Sequence, residues 1–339
     1  MEKQLTHGVL WIGFGSFAKQ LFPYVEKRPE VKAVHFFYPN KKEAIKRFGE
    51  KAVWDIKKSL ADPNVTAVFI TTPNDKHTEF IRLALEAGKH IFVEKPITAL
   101  YWEAVKLLPL MRRSKTVIAV GHHKRREAAI RKAKELIEQG KIGRPVNIYT
   151  NWSKGIAFEM ERINWRFDKK SHREGPLLSV GIHLVEVLHY LLGPVESVSA
   201  LIKNISGKTE APDSNAVLLN FKNGASAFVE ANYCTPSEDI LNIYGTEGTI
   251  YINRGQLSLR LGRDVDRKPT SAVPVKLSPI DALKEEIVEF FEAITGRGKK
   301  FETSYGAAID ALAVIEACYQ SSTQKKIVAM EKFPEYFKK

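Results

Sequence analysis

Three short stretches carry residue types that could do chemistry together. Lys95 stands in Glu94-Lys95-Pro96, at the end of the apolar run His90-Ile91-Phe92-Val93. A lysine at a buried strand end needs an anion or a substrate oxygen to meet. Gly13-Phe14-Gly15-Ser16-Phe17-Ala18 has the form Gly-x-Gly-x-x-Ala. Its glycines permit a tight turn and let a pyrophosphate approach the backbone N–H groups at a helix start. His183 closes the tract Gly175-Pro176-Leu177-Leu178-Ser179-Val180-Gly181-Ile182-His183. Histidine titrates near neutrality, so it can take a hydroxyl proton while hydride leaves the carbon that bears it. Together the three imply hydride exchange between a dinucleotide and a carbinol. Singly, each has an ordinary explanation: a solvated loop lysine, a strand–helix turn, a histidine in an apolar helix.

The cofactor is addressed by two further stretches. An acid about 20 residues after the glycine turn would hold the ribose hydroxyls of NAD. This chain has Phe37-Tyr38-Pro39-Asn40-Lys41-Lys42 there, with no carboxylate at the strand end. Asn40, Lys41 and Lys42 suit a 2′-phosphate instead, with Tyr38 also placed at the cofactor, so NADP is favoured over NAD. Thr71, Thr72, Pro73 and Asn74, with His77 close behind, follow the next long strand. Loops at the carboxyl ends of such strands form the ligand crevice.

The elements that must position these residues alternate strand and helix over the first 120 or so positions. Apolar, β-branched runs such as Val65 to Thr71 read as buried parallel strands. Helices of ten or so residues separate them, which implies right-handed crossovers and a doubly wound dinucleotide-binding sheet. After Gly121 the character changes. Ala128 to Glu138 and Gly181 to Leu192 read as helices. From Val195 a series of short strands with tight turns, among them Lys222-Asn223-Gly224, reads as an antiparallel sheet. Asp281 to Ile294 and Ala307 to Gln320 read as closing amphipathic helices. The fold class is therefore α/β followed by α+β, with a Rossmann domain over 1–122 and a substrate-binding and oligomerisation domain over 123–330.

The chain has 339 residues, 44% apolar and 27% charged, which suits about two globular domains. No apolar run reaches the ~20 residues of a membrane span, and no leader is legible, so a cytoplasmic location is expected. Two cysteines, Cys234 and Cys318, make no disulfide framework and no metal spacing. The net charge is +13, and basic residues crowd between Arg112 and Lys134. A solvated helix face explains that run better than an anionic partner does. Nucleic acid is not expected, since no binding module accompanies the charge.

Taken together these residues resemble the Gfo/Idh/MocA family of nicotinamide-dependent oxidoreductases. The resemblance rests on the glycine turn, Thr72-Pro73-Asn74 with His77, Glu94-Lys95-Pro96, Asn164-Trp165-Arg166-Phe167-Asp168, the Gly175 to His183 tract, and Tyr244-Gly245-Thr246-Glu247-Gly248. It implies a Rossmann domain followed by a domain with a large open antiparallel sheet, through which members assemble as dimers or tetramers. It implies a sugar, cyclitol or sugar derivative as substrate. Carried over by position, Lys95 binds and polarises the reacting oxygen and His183 acts as general base or acid. Trp165 and Arg166 match a segment near the cofactor. The peptide before Pro96 is often cis in such proteins. One departure stands out: Ser179 occupies the place where the family often has an aspartate, so it can hydrogen-bond substrate but carries no charge. Two other readings remain, a dinucleotide sensor that has lost turnover and an eliminating glycosidase that cycles bound NAD.

Overall fold

The computed structural model describes residues 6–159, 167, 169, 172–262, 270–298 and 300–336. The chain divides into two compact units, Met1–His123 with Asp281–Ile309, and Lys124–Ile280 with Asp310–Lys339.

In the first unit the expected alternation is present: β1 (His7–Ile12), α1 (Ser16–Glu26), β2 (Val31–Phe37), α2 (Lys41–Phe48), β3 (Ala52–Val53), α3 (Ile56–Ala61), β4 (Val65–Ile70), α4 (His77–Glu86), β5 (His90–Glu94), α5 (Tyr101–Arg113) and β6 (Ile118–Gly121). The six strands lie in the order β3-β2-β1-β4-β5-β6, all parallel. Strand order reverses beside β1, so the carboxyl ends of β1 and β4 border the crevice that such sheets offer a dinucleotide. The core is aromatic. Trp11, Phe69 and Phe92, from three adjacent strands, stack at centroid distances of 4.8 and 5.0 Å.

The second unit contains α6 (Ala128–Glu138), β7 (Pro145–Ser153), α7 (Ile156–Glu159), α8 (Ile182–Leu192), β8 (Val195–Lys203), β9 (Ser214–Phe221), β10 (Ser226–Glu230), β11 (Glu238–Gly245), β12 (Gly248–Asn253), β13 (Gln256–Leu261) and β14 (Val273–Pro274). Three elements follow: α9 (Ala282–Thr295), α10 (Tyr305–Gln324) and β15 (Val328–Ala329). Among the described residues the sheet has nine strands in the order β14-β13-β12-β11-β7-β10-β9-β8-β15. It is mixed rather than wholly antiparallel: β7 and β10 run parallel, with Tyr149 opposite Phe228. The cause is connection length. β7 is followed by α7, α8 and two further strands before the chain returns beside it, and so long a crossover permits a parallel neighbour. Ile148, Val217, Leu219, Ala227, Val229, Leu241 and Ile243 are buried on one face. The opposite face leaves Leu201, Leu218, Phe228 and Tyr244 exposed.

Residues 123–330 do not all stay together. Helix α9 clusters with the first unit. Phe290 and Phe291 are fully buried there, with Phe290 edge-on to Phe69 at 5.4 Å and to Phe92 at 5.7 Å. Phenylalanines at successive positions spread over a wide arc of a helix. That arc fits the aromatic face of the parallel sheet, whose other packing partner is α1.

The basic run is also not a uniform solvated face. Lys124, Arg125 and Arg126 are buried. Lys124 Nζ donates to both oxygens of Asp239, at 3.1 and 3.2 Å, and lies 3.5 Å from Glu127. Arg125 is paired with the buried Glu186 of α8 and lies over the Tyr190 ring. Burying a cation is costly unless a carboxylate accompanies it, and Asp239 and Glu186 come from far along the chain.

Candidate functional site

The glycine turn sits between β1 and α1. Gly13 has φ +83°, and a Cβ there would come 2.8 Å from Thr72 N and 2.9 Å from Thr72 Cα. Only glycine fits that close approach of two backbones. Gly15 is the residue before α1, and a Cβ there would meet nothing within 4 Å. No side chain caps the first turn of α1, and no acid lies in it. Its open N–H groups, beside an open space at Gly15, suit a pyrophosphate. Thr72 Oγ1 is buried at the border of the turn with no hydrogen-bond partner among the described residues. Thr71 braces the turn, accepting from Trp11 Nε1 at 2.8 Å and donating to Gly13 O. Phe14 turns inward, with its ring edge-on to Trp11, Phe22, Phe36 and Phe48. Of the turn residues, therefore, Phe14 offers a ligand its backbone and not its ring. Ser16 is exposed, Ala18 is buried, and the Phe17 ring stacks with His123 at 6.1 Å.

At the end of β2, Asn40 caps α2, with its Oδ1 accepting from Glu43 N at 3.1 Å. Two cations of α2 lean on aromatic rings at the ends of β2 and β3. Arg47 lies 4.8 Å over Tyr38, and Lys41 lies 4.6 Å over Trp54. Arg47 and Trp54 were not legible as site residues, because nothing in a helix-end arginine shows that it reaches back over a strand-end tyrosine.

The loops after β4 and β5 are tied together by His77. Its Nδ1 lies 2.8 Å from Pro96 O and its Nε2 lies 3.0 Å from Thr72 O. Burial lowers its pKa, although both carbonyl contacts oppose that. The ring is fully buried with both nitrogens on backbone oxygens, so it braces the two loops that flank the crevice. Asn74 is buried in the same turn, while Pro73 is exposed.

Lys95 follows β5 and is half-buried, and the Lys95–Pro96 peptide is cis. The Glu94 carboxyl is buried beneath it. Its Oε2 accepts from Lys95 N at 3.3 Å, and a Cβ at Gly121 would lie 2.5 Å from its Oε1. Burial pushes this carboxyl up to about 8, against the opposing pull of Lys95. The unfolded carboxyl ionises near 4.5 and the folded one near 8, so rising pH across that interval favours the unfolded chain. Glu94→Gln is isosteric with the protonated acid. Wild type is therefore expected to lose stability relative to Glu94→Gln between about pH 5 and pH 8, measured by urea unfolding. Parallel pH profiles for the two proteins would refute a protonated Glu94.

In the second unit, Pro176 leads into a π-helical turn, Leu177–Gly181, which runs on into α8. Such turns recur at functional sites because they displace one residue from the regular helical register. Ser179 lies in this turn, and the buried His183 lies on the first turn of α8. Gly175 has φ +57°, and a Cβ there would collide with Pro212 O, so glycine is required at the entry to the tract. The His183 ring lies 5.3 Å from the ring of Trp152 on β7, which in turn carries Lys124 Nζ 4.3 Å and Lys154 Nζ 5.5 Å over it. Trp152 beside His183, with Lys124 and Lys154 over its ring, was missed by sequence reasoning. Trp165 and Arg166 lie outside the described residues.

A six-stranded doubly wound sheet with a glycine turn at its switch point, and a second unit built on a mixed sheet, define a two-domain nicotinamide-dependent oxidoreductase. Residues 7–122 match the model of the oxidoreductase family with an NAD-binding Rossmann fold, and residues 130–251 match the GFO/IDH/MocA C-terminal domain. The chain belongs to the Gfo/Idh/MocA family and is an NAD(P)-dependent oxidoreductase. It is 33% identical to the scyllo-inositol 2-dehydrogenase (NAD(+)) of Bacillus subtilis, over 74% of this chain and 75% of that protein. It is 29% identical to the levoglucosan dehydrogenase of Pseudarthrobacter phenanthrenivorans, over 83% of this chain and 85% of that protein. The solved structure of a levoglucosan dehydrogenase in complex with NADH superposes with a TM-score of 0.85 at 25% identity, covering 96% of this chain and 99% of that one. Its relatives include enzymes named for NAD(+) and for NADP(+).

Proposed function

We propose that this protein is an NADP-dependent dehydrogenase or reductase of a sugar, cyclitol or sugar derivative. The observation that carries the reading is the pairing of the glycine turn with Glu94-Lys95-Pro96 at the carboxyl ends of β1 and β5. The nicotinamide of the bound dinucleotide supplies hydride exchange with a carbinol carbon. The first turn of α1 and the backbone of residues 13–16 hold the pyrophosphate. Thr71, Thr72, Pro73, Asn74 and Glu94 line the approach to the nicotinamide. Lys95 hydrogen-bonds and polarises the reacting oxygen, and His183 takes or returns its proton. Ser179 donates to a substrate hydroxyl without adding charge. Nicotinamide absorbance over a panel of cyclitols, aldoses and anhydrosugars tests the reading. A purified, cofactor-loaded protein that turns over none of them would overturn it.

The preference for NADP rests on the missing acid after β2 and on the two cations held over Tyr38 and Trp54. Charge-assisted contacts to a phosphate are worth about 1.5–3 kcal/mol each. Removing both, in Lys41→Met with Arg47→Met, is expected to weaken NADPH binding by at least about 10- to 100-fold while NADH changes little. Fluorescence titration of the two cofactors checks this. Tighter binding of NADH than NADPH by the unaltered protein would reverse the assignment. Assembly as a homodimer or homotetramer through the nine-stranded sheet is part of the same proposal, supported by the apolar face that bears Leu218 and Phe228. Among the described residues no helix is long and apolar enough to cross a membrane.

A further inference from the structure

The surroundings of His183 contain a cation that the proposed chemistry does not use. Lys154 directly follows β7, and its backbone is anchored by donation from Lys154 N to Asn232 O at 2.8 Å. Asn232 N is in turn held by Ser153 Oγ at 3.1 Å. The Lys154 side chain is exposed, and its ammonium lies over Trp152. Lys124, over the same ring, is buried and already neutralised by Asp239 and Glu127. No carboxylate among the described residues pairs with Lys154. The ammonium lies 5.5 Å from the Trp152 centroid, which lies 5.3 Å from that of His183. The ammonium is therefore within about 11 Å of the imidazole. That upper bound leaves both groups within reach of the substituents of one sugar ring.

Resting on the oxidoreductase reading above, we infer that Lys154 and Trp152 form a subsite for an anionic group of the substrate, so that the preferred substrate is a sugar carrying a carboxylate or a phosphate. Trp152 holds the lysine stem and supplies an apolar wall. The ammonium pairs with the anion, while His183 addresses a hydroxyl on the other side of the ring. An exposed lysine already resting on an aromatic face gives up little freedom on binding, so the pairing discriminates by charge. This departs from the uncharged compounds in the relatives' names.

The test compares kcat/KM for matched pairs: D-glucuronate against D-glucose, and D-glucose 6-phosphate against D-glucose, each with saturating cofactor. The unaltered protein is expected to favour an anionic member by about 10- to 100-fold, the contribution of one charge-assisted contact. Lys154→Met should abolish that ratio chiefly through KM, Lys154→Arg should retain most of it, and added salt should lower it in the unaltered protein. Preference for the glucuronate assigns the carboxylate, and preference for the phosphate ester assigns the phosphate. Equal or better use of D-glucose, or a ratio that survives Lys154→Met, overturns the subsite and leaves the oxidoreductase reading standing. Turnover of neither charged nor neutral compounds by cofactor-loaded protein overturns both.

Discussion

Lys95→Ala and His183→Ala are each expected to lower kcat by about two to four orders of magnitude, the range that general acid–base catalysis contributes. The two losses should differ in kind. In the proposed role Lys95 polarises the reacting oxygen from the end of β5, so its removal should weaken the transition state in either direction of the reaction. In the proposed role His183 moves a proton, so its removal should flatten the pH dependence of turnover as well as lower it. The neighbouring residues give each variant a control. Glu94 remains beneath position 95 with Gly121 packed on its carboxyl, so the strand end is retained in Lys95→Ala. Trp152 remains beside position 183 on a strand held by neighbours on both sides. Cofactor binding within a few-fold of the unaltered protein, with the loss confined to turnover, is the expected pattern. Near-normal rates in both variants on a confirmed substrate would end the assignment of the pair.

Phe69→Ala should have the largest effect on stability. Phe69 lies on β4 with no exposed surface, between Trp11 of β1 and Phe92 of β5. Phe290 of α9 meets it edge-on and Phe291 lies 6.2 Å away. Four rings thus line the space that its side chain would vacate. Three of the four elements involved are neighbouring strands held at fixed spacing by their hydrogen bonds, so the site cannot collapse. A Phe→Ala change in such a site costs about 3–5 kcal/mol. Amide hydrogen exchange in β1, β4 and β5 should quicken by a hundredfold or more if opening of this unit limits exchange. Phe69→Leu, which keeps much of the volume, should cost clearly less. Equal protection in Phe69→Ala and the unaltered chain would show that the aromatic stack is not what holds the sheet to α9.

The first unit was largely legible because its signals are local. Runs such as Val65 to Ile70 bury both faces, and glycine at 13 announces a turn that no other residue can make. Lys95 and His183 stand out in the sequence as residue types in specific surroundings, and their proposed roles rest on that. What stayed hidden depends on partners distant in sequence. Strand β7 carries Thr150, Asn151 and Ser153, which interrupt any apolar strand signal. In the fold they are buried and satisfied: Thr150 Oγ1 donates to Ile240 O at 2.9 Å, Asn151 Nδ2 to Glu230 at 2.8 Å and Ser153 Oγ to Asn151 at 2.5 Å. Missing β7 meant missing Trp152 and Lys154, and with them the surroundings of His183. The lysine and arginines at 124–126 were misread for the same reason, since Asp239 and Glu186 stand far along the chain. Helix α9 is amphipathic wherever it docks, and only the aromatic surface of the parallel sheet selects its place.

The order of the nine-stranded sheet has a consequence for how copies of the protein avoid one another. An open sheet presents unpaired backbone groups along its two borders, and a long, flat border recruits strands from other molecules. Here the borders are β14 and β15, each two residues long, and one residue of β14 is Pro274, which has no N–H to offer. A foreign strand would find almost nothing to zip onto at either side. The sheet can thus display a broad apolar face without inviting indefinite growth along its hydrogen-bonding direction.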